Sequence, residues 1–444
     1  MPKSSQGSGQ TDSSICQVSW APGARVWALL LEGSSRQTEV SMGGLRSHSV
    51  LLGVLLLACR ERPDAESPRA PNAITTPTTP AASASPVVKL ADVTSPVVTA
   101  TPLPESQPDA PVEPPRLVLA AGGDVNFGRE CGQAILKDVS YAPFSGLGAA
   151  WTSADVRFVN LESQLSDQNG VTQSPGNRLI FTGPPGGADV LAAAGIGLVS
   201  TANNHAWDYG KSALLETIAN LERMKVPFAG TGVDAEAAYR PVVAEVNGLR
   251  VALFAVTQIW NQGVFQQHEG QRHVAWADVD KLKPGIERAR REHDFVLVSY
   301  HGGEEYISAP VDRTRRFVKA MMALGVDAII GHHPHVPQGI GWVEGRPIIY
   351  SLGNFVFAGH DNRPWTKESF FVRLELEKGK PPQVSACPFV LEGHRPRSYS
   401  LAAPYAFARF RQHLIDISTS TGGSNVAQHD ELGCLRVTPV PKKK

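Results

Sequence analysis

A strand-length apolar run that ends in histidines restricts the fold of this chain more than any other feature. Residues 326–330 are apolar apart from one aspartate, and they are followed by Gly331 and the sequence His-His-Pro-His. A buried strand that ends in polar side chains is typical of α/β proteins, which place their sites at the carboxyl ends of the strands. In extended backbone, His333 and His335 leave on the same side. Since neutral imidazole is a common metal ligand, the segment predicts half of a metal site. The alternative is a polar loop with chance histidines.

Five further apolar runs repeat this pattern. They cover residues 117–123, 154–159, 194–201, 294–300 and 347–352. The polar residues at their carboxyl ends are Asp124, Asn126, Asn160, Glu162, Asn204, His205, His301 and Asn354. One polar strand end is often only a turn. Six strand ends that hold metal-ligating or hydrogen-bonding side chains predict one shared site.

The order of strands and helices indicates the fold class. Helical periodicity at 211–224 and 311–324 alternates with the apolar runs, so we predict a layered α/β fold with central mixed β-sheets flanked by helices. Residues 242–256 read as a hairpin with a type I′ turn at Asn247-Gly248. A single catalytic domain is expected over 116–400. Residues 401–444 are expected to form a helix and a loop-like tail.

The N-terminal part is expected to direct export. Residues 1–41 are polar and are interpreted as a non-native extension before a start at Met42. Residues 42–59 hold a short basic region and an apolar stretch too short to span a bilayer, as in a secretory signal. The last four, Leu-Leu-Ala-Cys, resemble a bacterial lipobox, so Cys59 is the expected lipid anchor. A buried helix that ends in cysteine is the alternative.

The segment that follows Cys59 is rich in proline. Residues 60–115 hold 13 of the 34 prolines. Such a composition buries too little apolar surface to offset its ordering entropy and predicts a disordered tether. We therefore expect an exported protein, lipid-anchored at the cell envelope. Because Arg60 replaces the aspartate that retains lipoproteins at an inner membrane, the outer membrane is favoured in a Gram-negative source.

Charge and cysteine content restrict the partners and the compartment. The chain has 42 Lys and Arg against 42 Asp and Glu, so its net charge does not indicate a polyanion-binding surface, and no nucleic-acid partner is expected. Cys131, Cys387 and Cys434 match no zinc knuckle. Cys387 and Cys434 could form a disulfide in an oxidising compartment or remain free.

The residue types at the strand ends indicate metal-assisted hydrolysis or transfer. Asp, Asn, Glu and His without cysteine suit divalent Mn, Fe, Zn or similar ions. There are enough ligands for one or two ions, and two ions can hold a phosphoryl or acyl group and lower the pKa of a bridging water. No nucleophile-elbow, P-loop or dinucleotide motif competes with this interpretation.

Six motifs carry a resemblance to a known family. They are GDVNFGR at 123–129, VNLE at 159–162, ANNH at 202–205, HGGEEY at 301–306, GHHPHV at 331–336 and YSLGNF at 350–355. In this order they resemble the CapA family over about residues 117–357. That family is associated with poly-γ-glutamate capsule synthesis and is related to calcineurin-like metallophosphoesterases. The resemblance implies a metallophosphoesterase-like fold, divalent metals and membrane-bound capsule synthesis components as partners.

The resemblance also implies roles for the residues of the first two motifs. Asp124 resembles the aspartate that binds the first metal, and Asn126 stands where the superfamily has a histidine ligand. Asn160 or Glu162 falls where a bridging aspartate is expected. Because amides are weaker ligands, the site could hold one ion, or two only with substrate.

The later motifs supply the remaining expected roles. Asn204 and His301 resemble ligands of the second metal, with His333 and His335 as the last pair. His205 resembles the histidine that protonates the leaving group. Arg129, Glu304 and Glu305 are expected to contact substrate or assist acid–base chemistry, although either glutamate could equally be a surface helix cap. The residues expected to support the ligands are His332, Asp208, Ser351 and Asn354.

Three functions agree with the sequence. The first is a membrane-tethered, metal-dependent enzyme that acts on an extracellular polymer such as poly-γ-glutamate or on cell-wall peptide. The second is a periplasmic metallophosphoesterase. The third is a non-catalytic capsule-assembly factor that kept the fold.

Overall fold

A computed structural model describes residues 114–168, 179–359 and 363–441, all within the unit Pro102–Lys444. The predicted extension 1–41, the signal segment 42–59 with Cys59, and tether residues 60–113 lie outside the described residues. Within the described ranges, no helix has the length and apolar character needed to cross a membrane.

The described residues form strands and helices that alternate along most of the chain. The strands are β1 Arg116–Val125, β2 Val156–Leu161, β3 Gln164–Leu165, β4 Thr182–Gly183, β5 Leu198–Ser200, β6 Phe228–Ala229, β7 Val242–Val246, β8 Leu249–Thr257, β9 Phe295–His301, β10 Ala328–His332, β11 Pro337–Val343, β12 Arg346–Leu352, β13 Asn354–Val356, β14 Glu368–Glu377, β15 Gln383–Glu392, β16 Arg395–Ser398, β17 Ser424–His429 and β18 Leu435–Pro439. The helices are α1 Arg129–Lys137, α2 Gly148–Thr152, α3 Gly187–Ala193, α4 Gly210–Arg223, α5 Ala235–Tyr239, α6 Val279–Glu292, α7 Asp312–Ala323 and α8 Pro404–Thr419.

Most of the strands belong to two mixed sheets. Sheet I has the order β17-β18-β15-β14-β1-β2-β5-β6, with β13 beside β1 and β16 beside β15. Sheet II has the order β11-β12-β10-β9-β8-β7. The neighbours of the motif-bearing strands are parallel: β1 with β2 and β13, and β9 with β8 and β10. Their carboxyl ends therefore lie at one edge of each sheet.

The side chains of β1 show how the layers stack. Leu117 and Leu119 pack in one core cluster with Leu253 of sheet II, whereas Val118 and Ala120 pack in a second cluster with side chains of α1, α2 and α3. Successive side chains of a strand point to opposite faces, so sheet I has the other sheet on one face and helices on the other. Helices α6 and α7 pack in a third cluster on the outer face of sheet II. The layered α/β fold with central mixed sheets is confirmed.

The predicted hairpin is also present. Strands β7 and β8 pair antiparallel on either side of Asn247 and Gly248. Both residues have positive φ, 53° and 75°, as a type I′ turn requires.

The prediction of a loop-like C-terminal tail was wrong. Strands β17 and β18 pair with each other, and β18 pairs with β15 at the edge of sheet I. A disulfide between Cys387 and Cys434 joins the tail to β15. Both strands are short and half exposed, with Val426 and Val437 reaching the core, so their apolar periodicity is too weak to be read from the sequence.

Candidate metal centre

The carboxyl ends of the two sheets meet at the predicted site. On sheet I, Asp124 is paired in register with Asn160 of β2 and with Asn354 of β13. On sheet II, His301 is paired with His332. The Asn160 Nδ2 atom links the sheets, since it lies 2.8 Å from Asp124 Oδ1 and 3.2 Å from His301 Nδ1. Residues 124 and 301 therefore meet although 177 positions separate them.

The loop after β10 differs from the predicted extended conformation. His333 and His335 have φ values of 97° and 58°, so both lie in the left-handed region. A side chain there costs on the order of 1–3 kcal/mol, and such residues cluster at functional sites. The turned backbone places the N–H of His333 3.2 Å from Asp124 Oδ2, to which it donates. The two imidazoles therefore reach the site by turning of the loop, and not by the alternation of a strand.

Gly331 is needed for a reason that the sequence did not reveal. It lies inside β10, where a Cβ atom would come within 2.0 Å of the carbonyl oxygen of Tyr350 on β12. The glycine therefore permits two strands to approach each other closely just before the histidine loop.

Glu162 occupies the centre of the site. Its Oε1 atom lies 3.7 Å from the Nε2 atoms of His301 and His335, and 3.9 Å from Nε2 of His205. The side chain is fully buried, and neither carboxylate oxygen has a hydrogen-bond partner among the described residues. A buried carboxylate is costly unless it is paired or coordinates a metal ion, so this arrangement fits a cation.

The two carboxylates of the site differ in their pKa. Burial raises the pKa of Glu162 well above its ordinary value, and the nearby Asp124 raises it further. Burial would also raise the pKa of Asp124. The hydrogen bond and charge of His332 outweigh this effect, with help from the charge of His335 and a hydrogen bond from Asn160, so the pKa of Asp124 stays below its usual value. Asp124 is thus the stable anion, whereas Glu162 needs a cation to remain ionised.

Two of the buried histidines stay neutral. Burial lowers the pKa of His301 well below its ordinary value and lowers that of His333 to about 3, and the charges of neighbouring histidines add to the effect. Neutral imidazole is the form that binds metals.

The side chains form two donor sets that share Glu162. One set consists of Glu162, His301 and His333, and the other of Glu162, Asp124 and His335. Within each set, the donor atoms lie within 4.8 Å of one another. We call these five residues the metal centre. These residues would hold one or two divalent ions, with Glu162 common to both sets.

The two asparagines of the first motifs lie beside the metal centre. Of the two candidates for the bridging role, Asn160 directs its amide nitrogen toward Asp124, so its observed contacts hold a ligand in place. The side-chain oxygen of Asn126 accepts the N–H of Gly128 at 2.7 Å and closes the turn before α1. Its Nδ2 atom is buried without a partner among the described residues.

Asn204 and its neighbour Asn203 have different contacts. Asn204 Oδ1 lies 2.7 Å from His301 Nε2, the ring nitrogen that is also near Glu162. Asn203 donates to the carbonyl of Leu161 at 2.7 Å and accepts the N–H of His205 at 3.1 Å. Sequence reasoning did not single out Asn203, because nothing in an Asn-Asn pair indicates which amide holds the backbone.

His205 is oriented by an aspartate and an aromatic ring. Its Nδ1 atom lies 2.7 Å from Asp208 Oδ2, which also accepts the N–H of Phe181. The His205 ring stacks on Phe181 with 3.8 Å between centroids. The opposite nitrogen, Nε2, faces Glu162. This histidine can therefore present a proton toward the metal centre while Asp208 sets its tautomer.

Residues of the last two motifs support His335 and the adjacent backbone. Asn354 Oδ1 lies 2.9 Å from His335 Nδ1, and its Nδ2 donates to the carbonyl of Thr366. Ser351 donates to the carbonyl of Val336 at 2.8 Å. His332 is fully buried with Nδ1 3.3 Å from Asp124 Oδ1. Asn354 and His332 therefore contact His335 and Asp124 directly, whereas Ser351 contacts the backbone beside His335.

The residues expected to contact substrate differ in their closeness to the centre. Glu304 and Glu305 are both exposed, and the charge of Glu305 contributes to the raised pKa of Glu162. Arg129 lies over the ring of Phe181, 4.5 Å from its centroid. Sequence reasoning did not single out Phe181, Tyr306 or Arg363. Phe181 stacks on His205, and the Tyr306 ring, over which Arg363 lies, is 6.1 Å from that of His335. Tyr306 lies within the HGGEEY motif, and its place there was the one available signal.

Comparison with solved structures finds weak overall similarity. The NAD nucleotidase of Haemophilus influenzae matches with a TM-score of 0.37 and 11% identity, over 68% of this chain and 56% of that one. The sulfate thiohydrolase SoxB of Thermus thermophilus matches with a TM-score of 0.36 and 14% identity, over 69% and 62%.

Sequence comparison is more specific. The chain is 30% identical over 266 residues to the PGA biosynthesis protein CapA of Bacillus subtilis, covering 59% of this chain and 68% of that protein. It is 27% identical over 317 residues to the capsule biosynthesis protein CapA of Bacillus anthracis, covering 69% and 76%. The family model of the bacterial capsule synthesis protein PGA_cap matches residues 118–359, which hold every residue of the metal centre. The chain therefore belongs to the CapA family of bacterial capsule synthesis proteins.

Proposed function

We propose that this chain is an envelope-anchored, divalent-metal-dependent hydrolase or transferase. It would act in the synthesis, anchoring or processing of an extracellular polymer such as poly-γ-glutamate. The observation that carries the proposal is the buried Glu162 carboxylate, which is shared by two sets of metal-ligating side chains. The named relatives in Bacillus support the link to capsule synthesis.

The metal centre would hold one or two ions, with Asp124 and Glu162 supplying negative charge and the histidines neutral donors. When bound, divalent ions polarise a carbonyl or phosphoryl oxygen and lower the pKa of a bound water. His205 would carry the proton to the leaving group, because its Nε2 faces the centre. Asp208 would accept a hydrogen bond from Nδ1–H and stabilise the doubly protonated ring that gives up its Nε2 proton.

Two features support an exported location. The predicted signal segment at 42–59 and Cys59 as a lipid anchor would place the domain at the cell envelope. The disulfide between Cys387 and Cys434 supports this location, because such bonds persist in oxidising compartments outside the cytosol. Membrane-bound capsule synthesis components would then be accessible partners.

The test is metal content followed by activity. Purified protein is analysed for Mn, Fe and Zn, and is then incubated with poly-γ-glutamate, peptidoglycan fragments and a generic phosphomonoester. These assays are repeated after chelation and after metal is added back. Metal-dependent cleavage or transfer of the polymer is expected. Turnover of the phosphomonoester alone would instead indicate a phosphoesterase.

A non-catalytic capsule-assembly factor is the second candidate. It is favoured by the two amides at Asn126 and Asn160, since the first closes its own turn and the second turns its nitrogen toward Asp124. The donor set is therefore smaller than a full two-metal site would have. Substoichiometric metal, together with capsule formation that is unchanged by His335→Ala, would establish this alternative.

A further inference from the structure

Two arginines lie beside the metal centre, each stacked on an aromatic ring. Arg129 lies 4.5 Å from the ring centre of Phe181, and that ring stacks on His205. Arg363 lies 3.8 Å from the ring centre of Tyr306, and that ring is 6.1 Å from the ring of His335. One aromatic ring therefore separates each guanidinium from a histidine of the site.

The two arginine–aromatic stacks flank the same part of the site. The ring of Phe357 is 5.8 Å from that of Phe181 and 5.0 Å from that of His335. The Nε2 atoms of His205 and His335 lie 3.9 Å and 3.7 Å from Glu162 Oε1. Both arginine–aromatic stacks therefore lie beside the metal centre.

The backbone fixes the position of Arg129. Its φ is 51°, and its Nη1 atom donates to the carbonyl of Ala358 at 2.9 Å. The next residue is Gly359, where a Cβ atom would come within 2.7 Å of Nη1. A left-handed residue and a close glycine together hold this guanidinium against the backbone at Ala358 and Gly359.

We propose that Arg129 and Arg363 form a pair that binds an oxyanion of the substrate, a carboxylate or a phosphate, next to the bond that reacts at the metal centre. The proposal rests on the proposed function and names its substrate class as anionic. Two parallel N–H donors of a guanidinium match two oxygens of a carboxylate or a phosphate, and its plane stacks on aromatic faces, which orients those donors. In a γ-linked glutamate polymer, every unit carries a free carboxylate beside the amide bond, so the pair would select such a chain.

The test is a binding measurement on the full chain that does not require turnover. Isothermal titration calorimetry is performed in chelator and again with Mn²⁺, using a γ-linked glutamate tetramer, the same tetramer with its carboxylates converted to amides, and inorganic phosphate. The variants are Arg363→Gln, Arg129→Gln and Arg129→Lys. The matched control is Arg291→Gln, because Arg291 is exposed at the carboxyl end of α6, before β9 begins and away from His301.

We expect each Gln variant to weaken binding of the acidic tetramer about tenfold, as the loss of a charge-assisted pair predicts, and Arg291→Gln to change it by less than about twofold. The amide tetramer should bind weakly and equally to all the proteins. Equal losses in the Arg291 control, or equal losses for the amide tetramer, would overturn the proposal. Arginine-dependent binding of phosphate would extend the same chemistry to phosphoesters, and binding of the tetramer alone would restrict it to carboxylates.

The outcome is distinguishable from that of the proposed function. If the protein holds no metal and cleaves nothing, the enzyme proposal fails while arginine-dependent binding in chelator can still be observed. If Arg129→Gln unfolds because it loses its bond to Ala358, Arg129→Lys and the exposed Arg363 still test the pair.

Discussion

The Oε1 atom of Glu162 lies 3.7 Å from the Nε2 atom of His301, with both side chains fully buried. The pKa of the carboxyl is raised and that of the imidazole is lowered, so burial disfavours the charged form of each. The two groups therefore do not stabilise each other as an ordinary ion pair. A divalent cation held by both residues would stabilise the ionised carboxylate and bind the neutral imidazole, which would account for the burial of these two groups beside each other.

Replacing Glu162 should separate the free-energy cost of burying its carboxylate from its contribution to metal binding. Without metal, we expect the unfolding temperature of Glu162→Gln to equal or exceed that of wild type, because the variant removes a buried carboxylate that has no hydrogen-bond partner among the described residues. Added Mn²⁺ should raise the unfolding temperature of wild type but not of the variant, since only a bound ligand stabilises the folded state. Differential scanning fluorimetry with and without chelator measures both effects. Glu236→Gln, at an exposed residue of α5, is the control and should retain the metal response.

Asn354 should control metal affinity through His335. Its side-chain oxygen lies 2.9 Å from His335 Nδ1 and sets the orientation of the ring. Loss of such an outer partner typically weakens metal binding by about 10- to 100-fold, so Asn354→Ala should do the same in a competition assay with a chelating dye. Asn425→Ala, at an exposed residue of β17, should leave affinity unchanged. An equal loss in both variants would contradict the role given to Asn354.

His205 should act on turnover and not on metal content. Removal of a general acid typically costs on the order of 10²–10⁴ in rate, so His205→Ala should lower kcat by at least about 100-fold with little change in KM. Asp208→Asn should lower kcat less and should alter the pH profile, because the bond that sets the tautomer changes. Metal stoichiometry measured on the same samples is the control. Loss of metal in His205→Ala would show that His205 is a ligand instead.

Gly331→Ala should destabilise the fold strongly. The added methyl would lie 2.0 Å from the carbonyl oxygen of Tyr350, so β10 and β12 would have to separate. We expect the free energy of unfolding to fall by about 3 kcal/mol or more, at the upper end of overpacking effects. Gly197→Ala is the matched control, since its added Cβ would meet its nearest neighbour at 3.5 Å, an ordinary contact. Urea unfolding of the two variants measures the difference.

His413 should make stability depend on pH. Its ring stacks on Trp365 at 3.5 Å, and burial lowers its pKa to about 4 from the ordinary 6.5. At pH values between these two pKa values, the unfolded chain binds more protons than the folded chain. The neutral His413 ring therefore contributes stability that is present above pH 6.5 and is lost as the pH falls toward about 4. His413→Gln should therefore lose less of its unfolding temperature between pH 7 and pH 4.5 than wild type. Parallel pH curves would contradict this expectation.

Much of the site could be found from the sequence because its strands are short, apolar and end in polar residues. The positions of Asp124, Glu162, His301, His333 and His335 follow from that pattern, and the structure brings all five together. The choice between Asn160 and Glu162 as the shared ligand could not be made from their order. Asn160 lies near the end of β2 and Glu162 directly follows that strand, and it is the contacts of Asn160 with Asp124 and His301 that separate the two residues.

The sequence alone determined the family, through its series of motifs. It also determined the layered α/β class and the strand ends that meet at the site, because burial of parallel strands requires continuous apolar runs that stop where each strand ends. Only the tertiary structure decided the left-handed histidine loop, the close approach at Gly331, the edge strands of the tail and the arginine–aromatic pairs. Each of these depends on contacts between segments far apart in the chain, and such contacts leave no local pattern in the residues that make them.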